Sequence, residues 1–265
     1  MVKIDLITGF LGSGKTTFIK KYAKYLMAHG MNIGILENDF GAVNVDMMLL
    51  KDLEGDQCEL EMVAGGCDAD CHRRRFKTKL IAMGMCGYDR VIVEPSGIFD
   101  VDEFFDVLRE EPLDQWYEIG SVITIMNAKL ENTLSEEAEY LLASEAANAG
   151  CVVLSRSQDA SPEEIAKTRA HLNCALQAVH CSRQFGDEII EKNWEDFTEQ
   201  DLERIQNSGY HVEDYTKLHF PEEERFQSVC VMNQEMTRQE LKKKVQQLFA
   251  EASYGNVFRV KGFLE

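Results

Sequence analysis

Apolar positions along the chain follow two alternating periods, two residues and about 3.6, and each change of period marks an expected element. Lys3 to Thr8 alternates and is apolar enough for a buried strand, and Thr17 to Leu26 repeats at helical spacing. Asn32 to Leu36 is a short apolar run bounded by polar residues, read as a second strand. Glu59 to Ala64 alternates weakly as a third. A helix from about Cys71 to Met85 is expected next, with Phe76, Leu80, Ile81 and Met83 as its apolar side. Val91-Ile92-Val93 and Cys151-Val152-Val153-Leu154 are continuous runs of the kind found in strands buried on both faces, and Gly120 to Met126 is another strand. Ser135 reads as the N-cap of a helix reaching about Asn148. Ser161-Pro162-Glu163-Glu164 opens a further helix with a capping residue, proline at the first helical position and an acid three residues on. Strands alternating with helices through short connections predict an α/β fold with a mostly parallel, doubly wound sheet.

From Gly186 to Arg225 the periodicity weakens and acidic residues dominate, which predicts a partly irregular connector. Beyond it, Phe226 to Met232, a helix opened by the Thr237/Glu240 capping box, and Asn256 to Leu264 make a short β-α-β unit. The expected division is a nucleotide-binding domain over 1–190, an acidic connector over 191–225 and a partial α+β C-terminal unit over 226–265. Such a unit cannot bury both helix and sheet alone. It is therefore expected to be trimmed within its domain, or to be a naturally short version docked on the first.

The phosphate loop comes between the first strand and the first helix. Gly9-Phe10-Leu11-Gly12-Ser13-Gly14-Lys15-Thr16 is a complete G-x-x-x-x-G-K-T pattern in its proper strand–loop–helix context. Gly9, Gly12, Ser13 and Gly14 let backbone N–H groups curl around an anion, and the helix N-terminus adds its positive end. Lys15 is expected to reach the terminal phosphates and the Thr16 hydroxyl to ligate Mg²⁺, with Thr17 also among the nucleotide-binding residues. The chain is read as a P-loop NTPase.

Composition narrows the partners. A net charge of −18 argues against nucleic-acid or anionic-membrane surfaces, which need a basic field. No apolar run approaches the ~18 residues of a membrane span, and no signal-peptide pattern follows Met1, so a cytoplasmic protein is expected. There the eight cysteines would be reduced, and a clustered pair points to metal or redox chemistry before a structural disulfide.

Three further segments carry candidate chemistry. Glu94 ends a buried strand where a Walker-B acid belongs, able to hold Mg²⁺ or orient water, and Gly97 follows at a spacing that lets its N–H approach a γ-phosphate. Cys67-Asp68-Ala69-Asp70-Cys71 has C-x-x-x-C spacing within the range of zinc ligands. Two thiolates leave a tetrahedron incomplete, so Asp70, His72, Cys58 or Glu37 would have to contribute, and soft thiolate mixed with carboxylate or imidazole suits Zn²⁺ or a neighbouring borderline cation. His72 beside Arg73-Arg74-Arg75 reads as part of a solvated basic face. Ser155-Arg156-Ser157-Gln158 stands in the slot of a guanine-reading N-K-x-D. Gln158 could pair with guanine or tolerate adenine, and Arg156 could lay its stem over the base, so GTP and ATP both stay open.

Taken together, Gly9–Thr17 (GFLGSGKTT), Glu37–Gly41 with Asp46 (ENDFGAVNVD), Gly65–Cys71 (GGCDADC), Val91–Gly97 (VIVEPSG) and Arg259–Phe263 (RVKGF) resemble the CobW family of P-loop GTPases, relatives of the UreG and HypB metal chaperones. The resemblance implies a GTPase domain of about 190 residues, a CobW-type C-terminal domain, and GTP hydrolysis coupled to delivery of a metal ion to a client. It implies phosphate and Mg²⁺ roles for Lys15 and Thr16, a place for Glu37 in the first switch and the metal site, and identity of Cys67 with the first cysteine of a C-x-C-C motif. Ala69 and Asp70 stand where the second and third cysteines would be, with Cys71 one position later.

The functional expectation is a Mg²⁺-dependent, GTP-hydrolysing metallochaperone with Lys15 and Glu94 catalytic and Zn²⁺, Co²⁺ or Ni²⁺ held by Cys67, Asp70, Cys71 and Glu37. Its partners would be a client metalloprotein or cofactor-dependent enzyme, and a homodimer is allowed. The alternative is a nucleotide-gated activator of a partner enzyme without metal cargo.

Overall fold

The computed structural model describes residues 1–39, 45–64, 69–95, 101–130, 134–218, 236–251, 253 and 260. The chain divides into two compact units, Met1–Arg225 and Phe226–Glu265.

The first unit is built on β1 (Val2–Thr8), β2 (Ile33–Asp39), β3 (Cys58–Ala64), β4 (Arg90–Pro95), β5 (Tyr117–Asn127), β6 (Cys151–Ser155) and β7 (Ile189–Ile190). These seven form one sheet in the order β3-β2-β4-β1-β5-β6-β7, and every pair is parallel. Its helices are α1 (Lys15–Ala28), α2 (Val45–Leu50), α3 (Ala69–Gly84), α4 (Val101–Leu108), α5 (Leu113–Trp116), α6 (Glu136–Ala147), α7 (Pro162–Ala178) and α8 (Glu199–Gln206). The doubly wound α/β fold expected from the alternating periods is therefore present. β1 is central: chain order runs from it to the β2/β3 side, returns through β4, and then passes to the β5–β7 side. Ligands of such sheets bind beyond the strand C-termini at this reversal, and the glycine loop follows β1 there.

Period-two alternation sorts the strand residues onto two faces. Ile4, Leu6, Val91, Val93, Val122, Val152 and Leu154 join one core with Phe76, Leu80, Phe104 and Leu142. Ile7, Ile35, Ile92, Ile123, Ile125 and Val153 join the other, with Phe18, Ile19, Tyr22 and Leu26 of α1. Inside the second lies a buried polar group. Asp5 accepts from Arg90 Nη1 at 2.7 and 2.6 Å, from the Tyr22 hydroxyl at 2.8 Å and from the Ser121 amide at 2.8 Å. Burial pushes the Asp5 pKa upward, against the pull of Arg90 and these donors.

The stretch expected as a connector is partly ordered into the first unit. Ile189 and Ile190 add the edge strand β7, and α8 opens on a capping box of Thr198 and Asp201 and buries Leu202 and Ile205. Two apolar residues three apart give one helical stripe, so α8 folds against the core while Glu199 and Glu203 face solvent. Helices α2, α4 and α5 were likewise not apparent from the pattern. In the second unit α9 (Arg238–Ala250) carries the expected Thr237/Glu240 capping box, while the strands expected at 226–232 and 256–264 lie, but for Val260, outside the described residues. Among the described residues no helix is long and apolar enough to cross a membrane.

Candidate functional site

β1 ends at Thr8, and the chain then turns through Gly9 (φ 138°), Gly12 (φ 80°) and Gly14 (φ 102°), values that L side chains rarely adopt. At Gly9 space forbids a side chain as well: a Cβ would collide with the Ile125 carbonyl and come 2.8 Å from Ser13 Oγ. α1 then opens on Gly14 with no capping side chain, and Ser13 Oγ is buried without a hydrogen-bond partner. An anion is the partner that such a helix start accommodates. Lys15 is buried, and its Nζ donates to the Gly9 carbonyl at 2.5 Å, folding the side chain back along the loop. Thr17 is exposed.

The Thr16 hydroxyl donates to Glu94 Oε1 at 3.0 Å, tying the first turn of α1 to the end of β4. Glu37 on β2 is the register partner of Glu94, so two buried carboxylates stand on adjacent strands at one end of the sheet. A hydroxyl and two carboxylates are hard oxygen donors of the kind Mg²⁺ selects, and a divalent cation would offset their mutual repulsion. The chemistry of this donor set fits the metal.

One residue along from Glu37, Asn38 shares a 2.6 Å hydrogen bond through its Oδ1 with His72 Nε2, and His72 is 1% exposed. The reading of His72 as part of a solvated basic face is therefore corrected. His72 is buried in the first turn of α3, where its bond to Asn38 ties that helix to β2, while Arg74 and Arg75 remain exposed. On the same helix Asp70 is exposed and Cys71 half-buried. Cys67 and Gly97 lie outside the described residues. Among the described residues, no three His, Cys, Asp or Glu side chains gather closely enough to hold a metal ion.

Two participants were missed in the sequence. Glu145 of α6 is 2% exposed, its Oε2 has no hydrogen-bond partner, and burial pushes its pKa up to about 8 against the pull of Lys15. Its backbone carbonyl accepts from Thr8 Oγ1 at 3.2 Å and Thr124 Oγ1 at 2.9 Å, which docks α6 where β1 enters the loop. The signal was available, since Glu145 lies four residues from Leu141 and three from Leu142 on one helical face. The other is Trp194, in a short 3-10 turn after β7. Its indole lies 3.3 Å from where a Gly14 Cβ would stand, and its Nε1–H donates to the Leu154 carbonyl at 2.8 Å.

On the same flank Ser155 is buried, whereas Arg156 (φ 56°) and Gln158 are exposed. The Gln158 amide lies 3.5 Å from Asp159 Oδ2.

Residues 3–184 match the family described as CobW/HypB/UreG, nucleotide-binding domain. The chain is 29% identical over 167 residues to the zinc chaperone YeiR of Escherichia coli (strain K12), covering 62% of this chain and 49% of that protein. It is 30% identical over 138 residues to the zinc chaperone YjiA of the same organism, covering 48% and 41%. The chain thus spans about half the length of the curated relatives it matches. The crystal structure of hydrogenase maturation factor HypB from Archaeoglobus fulgidus superposes with a TM-score of 0.47 at 15% identity, covering 77% of this chain and 86% of that one.

Proposed function

This chain belongs to the CobW/HypB/UreG nucleotide-binding family, and from that premise we propose that it is a Mg²⁺-dependent nucleoside triphosphatase that accepts GTP and couples hydrolysis to delivery of a transition metal. Zinc is the first cargo to test, because the relatives YeiR and YjiA are named zinc chaperones.

The observation that carries the reading is the bond between Thr16 and Glu94, because it joins the phosphate loop to an acid that stands in register with Glu37. Lys15 exchanges its bond to the Gly9 carbonyl for the terminal phosphates, moving one positive charge to where negative charge develops. Thr16, with Glu94 and Glu37, holds Mg²⁺, which when bound offsets phosphate charge. Glu94 also accepts from and orients the attacking water. Cargo is held by Cys67 and Cys71 with Asp70; Glu37, expected from the sequence among the cargo ligands, is assigned to Mg²⁺ here because it stands in register with Glu94. The bond between His72 and Asn38 gives a physical route from the metal segment to the strand bearing Glu37, so occupancy on one side biases the other.

The test is metal-to-protein stoichiometry for the unsubstituted chain and for a Cys67→Ala/Cys71→Ala variant, with and without a non-hydrolysable GTP analogue, beside phosphate release. One zinc bound by the unsubstituted chain, lost in the double variant and changed in affinity by the analogue, supports the reading. Phosphate release without thiol-dependent metal in either state rejects the cargo and leaves a nucleotide-gated activator.

A further inference from the structure

The sheet fixes which way a nucleotide must run. Thr16 is tied to Glu94 of β4, on one side of β1, so the phosphate and metal end faces that side. A nucleotide bound this way would extend over the ends of β5 and β6 on the other side. There Gly14 is flanked by two side chains from segments far along the chain, Ser155 with its Cβ at 3.7 Å and Trp194 at 3.3 Å from the position of a glycine Cβ.

Trp194 is held on three sides. Its N–H is committed to Leu154, one ring edge rests on Gly14, and Phe18 meets it edge-on, with centroids 5.6 Å apart and an interplanar angle of 67°. It is nevertheless only half-buried. A fixed indole with no donor left has only its aromatic surface to offer, and stacking is tolerant of base identity. Donors and acceptors nearby are equally permissive. Discrimination of guanine by 10⁴-fold or more needs a built hydrogen-bonding acceptor, about the level reached when a site is left unpaired by the wrong ligand. Gln158, in the slot of that acceptor, is a neutral, exposed amide, and Ser155 Oγ is buried without a partner.

Resting on the nucleotide reading above, we propose that Trp194 is the base-contacting residue of the site, selecting purine over pyrimidine nucleotides by stacking and admitting adenine nearly as well as guanine. Base choice then belongs to the segment after β7 as much as to the segment after β6.

The chain has two tryptophans, so Trp116→Phe leaves Trp194 as sole reporter. Emission of that variant is followed on titration with the Mg²⁺ complexes of GTP, ATP, CTP and inorganic tripolyphosphate. Emission is expected to change with GTP and ATP, with dissociation constants within about 10-fold of each other, and to change less with bound tripolyphosphate, which reaches Trp194 only through Gly14. Calorimetry of Trp194→Ala in the otherwise unsubstituted chain should show purine nucleotides weakened about 10-fold and tripolyphosphate weakened clearly less, while Trp194→Phe retains most of the affinity. The proposal is overturned if bound GTP leaves Trp194 emission unmoved, if Trp194→Ala weakens tripolyphosphate as much as GTP, or if GTP is preferred over ATP by more than about 10³-fold. Should the unsubstituted chain bind neither tripolyphosphate nor any nucleotide, the nucleotide reading itself fails.

Discussion

Thr16 and Glu94 stand 78 positions apart in the chain and 3.0 Å apart through Oγ1 and Oε1. The bond joins the start of α1 to the end of β4, whose hydroxyl and carboxylate would together hold a phosphate-bound cation. Replacing either should therefore harm turnover more than nucleotide affinity. For Glu94→Gln, phosphate release is expected to fall about 10²-fold or more, with affinity for a fluorescent GTP analogue changed only a few-fold. Thr16→Ala should also raise the Mg²⁺ concentration needed for half-maximal rate. Unchanged turnover in Glu94→Gln would remove the acid from the mechanism.

Gly9 tests the loop against its own backbone. With φ at 138° and the Ile125 carbonyl in the way, Gly9→Ala must shift the loop away from β5. Gly30 is the control, since its φ is 78° but nothing lies within 4 Å of its Cβ position. Gly30→Ala should cost about 1–2 kcal/mol of stability for the left-handed backbone, and Gly9→Ala more, because its Cβ also meets the Ile125 carbonyl. Only Gly9→Ala should reduce nucleotide binding, by about 10-fold or more for a loss of 1.4 kcal/mol or above. Urea unfolding and nucleotide titration of the two variants separate the outcomes.

Glu145 carries a pH dependence whose sign follows from its burial. Its folded pKa, about 8, lies above the ordinary 4.5, because burial disfavours the charged form more than Lys15 favours it. The stability this group contributes is fully present below pH 4.5 and is lost as pH rises toward 8, after which the loss levels off. The shift corresponds to roughly 4–5 kcal/mol at full ionisation. Glu145→Gln should remove that slope, so the variant melts higher than the unsubstituted chain at pH 9 and no higher at pH 5. Parallel melting curves at the two pH values would show that Glu145 does not titrate on unfolding.

What was legible in the sequence was whatever depended on local spacing. The glycine loop declares itself because its eight positions are contiguous, and β4 and β6 because burial on both faces leaves runs of apolar residues. Glu145, His72 and Trp194 were missed or misread because their partners arrive through the sheet order. Thr8 and Glu145 are 137 positions apart, Asn38 and His72 are 34, and Leu154 and Trp194 are 40. α8 was hidden for another reason: acids at its first turn serve the helix dipole, yet by composition they suggest a linker.

The buried bond network of Asp5 gives the clearest energetic test of the fold itself. Arg90 and Asp5 are 4% and 0% exposed at their side chains, and Gly120 lies so close that a Cβ there would strike Asp5 Oδ1. Breaking such a pair leaves a charge without its counterion, and Arg90→Met is expected to cost about 3–5 kcal/mol. Removing both charges while keeping an acceptor for Tyr22 and Ser121 should cost much less, so Asp5→Asn/Arg90→Met should recover more than half of the loss. Tyr22→Phe removes one donor among four hydrogen bonds and should cost about 1 kcal/mol. Urea denaturation of the four proteins measures all three differences. If the double variant proves no more stable than Arg90→Met, the network holds the sheet by its hydrogen-bond geometry, and the charge balance is secondary.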